Sequence, residues 1–247
     1  KRAMTDTVIQ ARDLYYAYPD GTPALRGVSL DILRGRSVAL IGGNGAGKST
    51  LLLHFAGCLF PQRGEVRIGD TTITRQTAAH ARRAVGMVFQ DPDDQLFMPT
   101  IEEDVAFGPI NAGCAPEEVE RRVVHALACV GMTYARKRPP YRLSAGEKRA
   151  AAIATALALE PEILVMDEPS SHLDPRARRR LIGWLTSFHH TRIIATHDLD
   201  LALDVCGEAL LLNAGRIVAQ GPAAEILSDA RQMAENPGKT LLVHGMG

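Results

Sequence analysis

The sequence has no long hydrophobic run and no excess of charge of either sign. None of its uninterrupted apolar stretches reaches the roughly 18 residues expected of a membrane-spanning helix, and we find no secretory signal at its start. Lysine and arginine together number 28, as do aspartate and glutamate, so the formal net charge is zero. Since nucleic-acid-binding proteins usually carry a basic surface, we do not expect nucleic acid to be the main partner.

Cysteine is scarce and shows no paired pattern. The four cysteines, at positions 58, 114, 129 and 206, have no CxxC spacing, which argues against a disulfide framework and against a structural metal site. We therefore expect a reduced, cytoplasmic protein. Its 247 residues are enough for one large domain or two small ones.

The most informative stretch is the glycine-rich segment 42–50, GGNGAGKST. It follows the apolar run Ser37–Ile41, a predicted buried strand, and precedes Leu51–Ala56, a predicted helix. Glycines let several N–H groups face one point, and the helix N-terminus adds partial positive charge. In such a loop Lys48 reaches the β- and γ-phosphates of a nucleotide, and the Ser49 hydroxyl holds Mg²⁺. The alternative, a purely structural turn, is disfavoured by the GxxxxGK[ST] spacing.

Polar side chains follow three later predicted strands, at the edge where open α/β sheets bind ligands. They are Gln90, the adjacent carboxylates Asp167 and Glu168, and His197. Asp167 suits a Mg²⁺ site, and Glu168 suits the polarisation of a water that attacks the γ-phosphate. Gln90 is placed to reach Mg²⁺ or that water, and His197 to contact the γ-phosphate. Taken singly, a glutamine at position 90 would be unremarkable, and a histidine such as His197 is more often structural than catalytic.

A second helix N-terminus is a candidate anion site. Ser144 and Glu147 have the spacing of a capping box, and the alanine-rich segment that follows runs to Leu159. Small residues in the first turn leave its N–H groups exposed. The alternative is a well-capped core helix, because one nucleotide does not obviously need two such helix ends from one molecule.

Two features stay open from the residues alone. Tyr18 lies on a predicted N-terminal strand of an antiparallel sheet and is either a strand aromatic or a ring that stacks on adenine. Segment 91–109 carries acidic residues beside Leu96, Phe97 and Met98. It is either a docking surface or a polar loop anchored in the core.

Taken in order, these motifs resemble those of the nucleotide-binding subunits of ABC transporters, over most of the chain. Each motif of that family has a counterpart here: Tyr18 for the adenine-stacking aromatic, 42–50 for Walker A, Gln90 for the Q-loop, 143–147 for the signature motif, 163–168 for Walker B, 170–174 for the D-loop and His197 for the switch histidine.

The resemblance implies an α/β fold with a P-loop NTPase core, an N-terminal antiparallel β subdomain and a helical subdomain carrying the signature motif. We expect a single ABC ATPase domain over residues 4–236, with the helical subdomain at about 91–160. The region 225–234 is predicted to be helical, and 237–247 is predicted to be a loose tail.

The resemblance also implies an ATPase that uses ATP and Mg²⁺. It assigns catalysis to Glu168, His197 and Lys48, and Mg²⁺ binding to Ser49, Gln90 and Asp167. It assigns nucleotide binding to a larger set: Tyr18, Gly42, Asn44, Gly45, Ala46, Gly47, Lys48, Ser49, Thr50, Gln90, Ser144 and Gly146.

Segments 91–97 and 102–109 are similar to those of energy-coupling-factor importer ATPases, most of all those of the cobalt and nickel importers. In that family this region lies near a groove that receives helices of a membrane partner. Two ATPase subunits face each other head to tail there, and each ATP lies between the phosphate loop of one and the signature helix of the other. The resemblance thus implies a second ATPase subunit, most simply a homodimer. It also implies membrane transport subunits docked near Gln90–Pro109, import of cobalt or nickel ion, and a peripheral location on the cytoplasmic face of the membrane.

Three positions depart from the family pattern. Ala145 and Glu147 replace the first glycine and the glutamine of LSGGQ, and His172 stands in the D-loop where a small residue is usual. Glu147 adds negative charge near a triphosphate, partly offset by Lys148 and Arg149. We therefore expect function to survive, with weaker ATP-driven closure. The alternative function is a non-transport ABC ATPase acting in nucleic-acid maintenance or cofactor assembly. A P-loop kinase or GTPase would have no use for the signature motif, and Glu168 with His197 argues against a scaffold that hydrolyses little.

Overall fold

The structure, a computed structural model, describes residues 6–188 and 190–228. Its N-terminal part is a four-stranded antiparallel sheet with the order β2-β1-β4-β5. The strands are β1 (Thr7–Ala17), β2 (Pro23–Leu33), β4 (Arg63–Ile68) and β5 (Thr71–Thr72). The predicted N-terminal antiparallel sheet is therefore present.

The second sheet has six strands in the order β10-β9-β3-β8-β7-β6. These are β3 (Ser37–Ile41), β6 (Val85–Val88), β7 (Ile163–Asp167), β8 (Thr191–Ala195), β9 (Glu208–Asn213) and β10 (Arg216–Pro222). All neighbouring pairs are parallel except the β9-β10 hairpin. The carboxyl ends of β3, β8, β7 and β6 therefore meet at one edge, where the predicted polar residues follow them.

Strand β3 separates two hydrophobic cores, because successive side chains of a strand point to opposite faces. Val38 and Leu40 pack with helix α1 (Lys48–Phe55) and the antiparallel sheet. Ala39 and Ile41 pack against the other helical layer. The remaining helices are α2 (Ala78–Ala84), α3 (Ile101–Asn111), α4 (Pro116–Cys129), α5 (Ala145–Leu157), α6 (Pro175–Ser187) and α7 (Leu199–Val205).

Helix α5 belongs to two cores at once. Ala151 and Ala154 pack in a third core with α3 and α4, while Ala152 and Ile153 pack against the six-stranded sheet. The alanine-rich sequence permits this, since small side chains let neighbours approach on every side of the helix. The helical part of the chain is thus joined to the six-stranded sheet through α5.

Residues 223–228 are helical at the end of the described part of the chain. The rest of the predicted helix at 225–234, and the tail predicted at 237–247, lie outside the described residues. None of the helices within residues 6–188 and 190–228 combines the length and the hydropathy that a membrane crossing requires.

Candidate functional site: two helix N-termini and a cavity

The glycine loop between β3 and α1 is shaped by close backbone contacts. Gly47 caps α1 with φ +105°, a conformation that side chains rarely allow, and a Cβ there would lie 2.5 Å from the carbonyl oxygen of Ala24. Among the residues that the structure describes, no side chain caps α1. The first N–H groups of the helix are therefore free to bind an anion.

Lys48 is buried inside this loop, with its ammonium turned toward the backbone. Its Nζ donates to the carbonyl oxygens of Gly42 at 2.8 Å and Gly43 at 3.4 Å, and lies 3.7 Å from Oε1 of Glu168. Its side chain is only 8% exposed. A buried cation satisfied mainly by neutral carbonyls favours exchange for a phosphate oxygen, because hydrogen bonds between charged groups are stronger.

A cavity of about 700 Å³ opens beside the loop. Most of the predicted nucleotide-site residues line it: Tyr18, Asn44, Gly45, Ala46, Gly47, Lys48, Ser49, Thr50, Gln90, Asp167, Glu168 and His197. Gly42 joins them through its hydrogen bond to Lys48. Ser144 and Gly146 line a different cavity, between α5 and α6. The structure thus brings together 13 of the 15 predicted site residues and leaves the signature pair, Ser144 and Gly146, apart.

Tyr18 stands at one end of the cavity. Its hydroxyl is 2.9 Å from the hydroxyl of Thr50, and its ring meets that of Tyr16 edge to face at 5.3 Å. The ring is 37% exposed. Tyr18 is therefore held by these two contacts and stays partly exposed, which suits stacking on a planar base.

Glu168 is fixed at the other end. Its backbone has φ +46°, and its N–H donates to the carbonyl of Ala195 at 2.8 Å. Oε2 accepts from the Thr196 hydroxyl at 3.2 Å and from the His197 N–H at 3.3 Å, and lies 2.9 Å from Nδ1 of His197. A carboxylate held by this many contacts in an uncommon backbone conformation indicates a constrained orientation.

Asp167 has a free ligand atom. Its Oδ1 is buried and makes no hydrogen bond among the described residues. Burial raises the pKa of this carboxyl, the charge of Glu168 raises it further, and the Ser49 hydroxyl lowers it. An unpaired buried carboxylate oxygen is costly, and together with a hydroxyl and the Gln90 amide it forms the hard oxygen donor set that Mg²⁺ prefers. These residues fit Mg²⁺.

The N-terminus of α5 is capped by side chains. Ser144 is its N-cap and forms a capping box with Glu147, as predicted. Gly146 lies close to α6, since a Cβ there would lie 2.8 Å from Cβ of Ala177. Glycine at this position is therefore required for packing against α6, which is a different reason from the phosphate contact predicted for it.

Arg149 is a functional candidate that the sequence did not reveal. It is 3% exposed, and its guanidinium donates to the carbonyls of Phe89 and Gln90, both at 2.7 Å. Burial lowers its pKa, opposed by the charges of Asp91 and Asp167. Arg149 ties the second turn of α5 to the backbone of Gln90. The sequence did contain one indication of its burial. Arg149 precedes Ala152 by three positions and Ile153 by four, which places all three residues on one face of the helix.

The sequence profile of the family described as "ABC transporter" matches residues 25–171, more than half of the chain. The chain belongs to this family. A putative ABC transporter ATP-binding protein of Geobacter sulfurreducens is 55% identical over 231 residues, covering 94% of this chain and 93% of that protein. The energy-coupling factor transporter ATP-binding protein EcfA of Methanocaldococcus jannaschii is 44% identical, with 90% and 81% covered.

Solved structures agree with this assignment. CbiO1 of Clostridium perfringens, described as part of the ABC transporter complex CbiONQ, has a TM-score of 0.81 at 35% identity, with 94% of this chain and 96% of that chain covered. The ATP-binding cassette MJ0796, solved as a dimer in a post-hydrolysis state with ADP and phosphate, has a TM-score of 0.78 at 26% identity, with 87% and 98% covered. This ABC protein has the ABC ATPase fold, binds ATP and is an ATPase that powers transport.

Proposed function

We propose that this ABC ATPase is the motor subunit of an energy-coupling-factor importer, peripheral to the cytoplasmic face of the membrane, and that its cargo is cobalt or nickel ion. The importer assignment rests on an apolar groove of about 580 Å³ that borders segment 91–109. Relatives named EcfA and CbiO1 support it. Residues 4–236 act as one domain in this proposal, and about 91–160 form its helical subdomain.

The groove displays aromatic side chains. The rings of Phe97 and Phe107 meet edge to face at 5.0 Å, and these residues are 62% and 41% exposed. Arg82 and Arg83 of α2 also line the groove. Exposed aromatic rings in an apolar groove mark an interaction site, and its shape suits the apolar face of an amphipathic helix. We assign this groove to a helix of an integral membrane subunit.

Gln95 connects the groove with the segment that leads to Gln90 and with helix α5. Its Oε1 accepts from the Phe89 N–H at 3.1 Å, and its Nε2 donates to the Ala152 carbonyl at 2.9 Å and the Thr155 hydroxyl at 2.6 Å. Lys148 of α5 also pairs with Asp93 at 2.6 Å. A helix that moves in the groove would therefore shift the Gln90 segment and α5 together.

The cavity residues have distinct roles in hydrolysis. Lys48 exchanges its loop carbonyls for the β- and γ-phosphate oxygens, and Glu168 polarises the attacking water. His197 holds Glu168 from one side and presents its largely exposed ring to the γ-phosphate. Tyr18 orients the base. Bound Mg²⁺, held by Ser49, Gln90 and Asp167, would supply positive charge to the phosphate oxygens.

A second subunit completes the site. Ser144 and Gly146 do not line the cavity of their own chain, whereas the α5 N-terminus is suited to bind an anion. We assign α5 to the γ-phosphate bound by a partner ATPase, in a head-to-tail homodimer. MJ0796, which shares this fold, is a dimer in its solved structure.

Co-purification from membranes tests the importer assignment. Tagged protein is captured from detergent-solubilised membranes of its own organism, and the bound chains are identified by mass spectrometry. We expect small multi-span membrane proteins with the wild type and their loss with Phe97→Ser/Phe107→Ser. The control is Ile110→Ser, since Ile110 is 60% exposed on α3 but does not line the groove.

Recovery of soluble proteins or nucleic acid alone would support the alternative, a non-transport ABC ATPase acting in nucleic-acid maintenance or cofactor assembly. The cargo is tested separately. The captured complex is reconstituted into liposomes, and ATP-dependent uptake of Co²⁺ and Ni²⁺ is measured. Failure to transport either ion would contradict the cargo assignment and leave the motor assignment intact.

A further inference from the structure

The N-terminus of α5 already holds an anion of its own. Oε2 of Glu147 accepts hydrogen bonds from the backbone N–H and from the hydroxyl of Ser144, both at 2.8 Å. The Glu147 N–H in turn contacts the Ser144 hydroxyl oxygen at 3.4 Å. The carboxylate thus lies at the helix end to which the proposed function assigns the partner's γ-phosphate.

Tyr134 holds the other oxygen of this carboxylate. Its hydroxyl donates to Oε1 of Glu147 at 2.6 Å. Hydrogen bonds from Tyr134 and then from Ser144 lower the pKa of Glu147 to about 2. The group is therefore ionised throughout the physiological pH range, with both oxygens bound. Tyr134 lies in a short helical turn outside every motif in the sequence.

In this arrangement the Ser144 hydroxyl can donate to only one of two acceptors. A serine hydroxyl has one hydrogen, so Ser144 cannot donate to Glu147 and to a phosphate oxygen at the same time. The carboxylate also offsets part of the positive end of the helix dipole. A γ-phosphate arriving from the partner must displace the carboxylate or approach a like charge, and both reduce its affinity.

We propose that Glu147, held in place by Tyr134, competes with the partner's γ-phosphate for the Ser144 end of α5 and so weakens ATP-driven closure of the dimer. This inference rests on the head-to-tail dimer of the proposed function. It makes Tyr134 and Glu147 positioning residues that set how much ATP closes the dimer.

The chain provides a matched control on α3. Glu103 forms the same contacts with Thr100, and its Oε2 accepts from the Thr100 N–H at 2.9 Å and from the Thr100 hydroxyl at 2.8 Å. Glu103 lines neither the nucleotide cavity nor the groove. Glu103→Gln therefore removes the same charge from the same kind of helix cap without affecting a phosphate.

The test measures ATP-driven dimerisation of the full chain in a Glu168→Gln background, with Mg²⁺ and ATP, by sedimentation velocity. We expect Glu147→Gln to lower the ATP concentration for half-maximal dimerisation about tenfold, since the like charge is lost. Tyr134→Phe, which only loosens the carboxylate, should lower it two- to threefold. Glu103→Gln should leave it unchanged. The gain from Glu147→Gln should shrink at high salt and stay constant between pH 6 and 8.

The possible outcomes distinguish a failure of the competition from a failure of the dimer. If Glu147→Gln dimerises at the same or higher ATP concentration than its parent while its melting temperature shows a folded protein, the competition is disproved and the dimer stands. If Glu103→Gln gives the same gain, the effect is one of net charge and the proposal also fails. If no variant, including the parent, dimerises with ATP, the head-to-tail dimer itself is wrong, and the competition fails with it.

Discussion

The two helix N-termini assigned to ATP differ in what each contains. At α1 the cap is glycine, no described side chain satisfies the first N–H groups, and the cation Lys48 is held mainly by loop carbonyls. At α5 the cap is Ser144, and the Glu147 carboxylate is bound to it. One end is electropositive and open. At the other end, the Glu147 carboxylate offsets part of the positive charge of the helix end and is already hydrogen-bonded to Ser144.

This difference indicates a division of work. In the proposed mechanism, the α1 end is complete within one chain and binds the nucleotide by itself. The α5 end gains a phosphate only by giving up an internal contact, so it suits a reversible, conditional interaction across a dimer. Affinity for ATP should therefore depend on α1, and closure on α5. Mutations at the two ends should separate these properties.

The largest effect should come from Glu168→Gln, because this residue acts where both ends meet the γ-phosphate. We expect turnover to fall about 10³-fold while ATP still binds, so that the dimer is stalled in its closed form. Phosphate release and equilibrium ATP binding measure the two quantities, with Glu103→Gln as the chemical control. Normal hydrolysis by the Glu168 variant would exclude its assignment as the base.

Lys48→Ala breaks the α1 end. It removes the one cation within the loop, and we expect the affinity of the isolated chain for ATP to fall about 100-fold, since hydrogen bonds to charged groups are the stronger ones. Fluorescent nucleotide titration measures this. Lys137→Ala, which removes an exposed lysine paired with Glu102, is the control. Unchanged affinity in the Lys48 variant would mean that the loop is misassigned.

Ser144→Ala breaks the α5 end. We expect unchanged ATP affinity for the isolated chain at low protein concentration, and a tenfold loss of turnover at saturating ATP, because only the partner's phosphate loses a donor. The lost cap should also cost about 1 kcal/mol of stability, and Thr100→Ala measures that cost alone by thermal melting. If Ser144→Ala weakens ATP binding to the monomer, the two ends are not separate.

The elements of this comparison that are local in the chain were predictable from the sequence. The strand, glycine loop and helix at 37–55 carry their own signals, since glycine spacing and apolar runs fix local structure. Asp167 and Glu168 were found because two carboxylates at the end of a buried strand are costly without a ligand. The antiparallel N-terminal sheet followed from β-branched and aromatic residues bounded by turns.

Other features depend on contacts between distant segments. The burial of Arg149 requires carbonyl acceptors at Phe89 and Gln90, about 60 positions away, and no pattern within α5 supplies them. The hydrogen bond from Tyr134 to Glu147 likewise depends on how the α4–α5 connection folds back. The phosphate contact of Gly146 stays a prediction, and its close approach to Ala177 on α6 is a second reason for glycine that the sequence did not show.

The smallest effect is expected from Thr196, whose hydroxyl helps to orient Glu168. The Thr196 hydroxyl is buried, donates to Oε2 of Glu168 at 3.2 Å and accepts from the Asp198 N–H at 3.0 Å. Thr196→Val keeps the shape but removes one donor that orients Glu168, so we expect kcat to fall three- to fivefold with KM unchanged. Thr196→Ser should restore kcat, because it returns the hydroxyl. A parallel loss in the serine variant would show that packing by the methyl group, rather than orientation of Glu168, accounts for the effect.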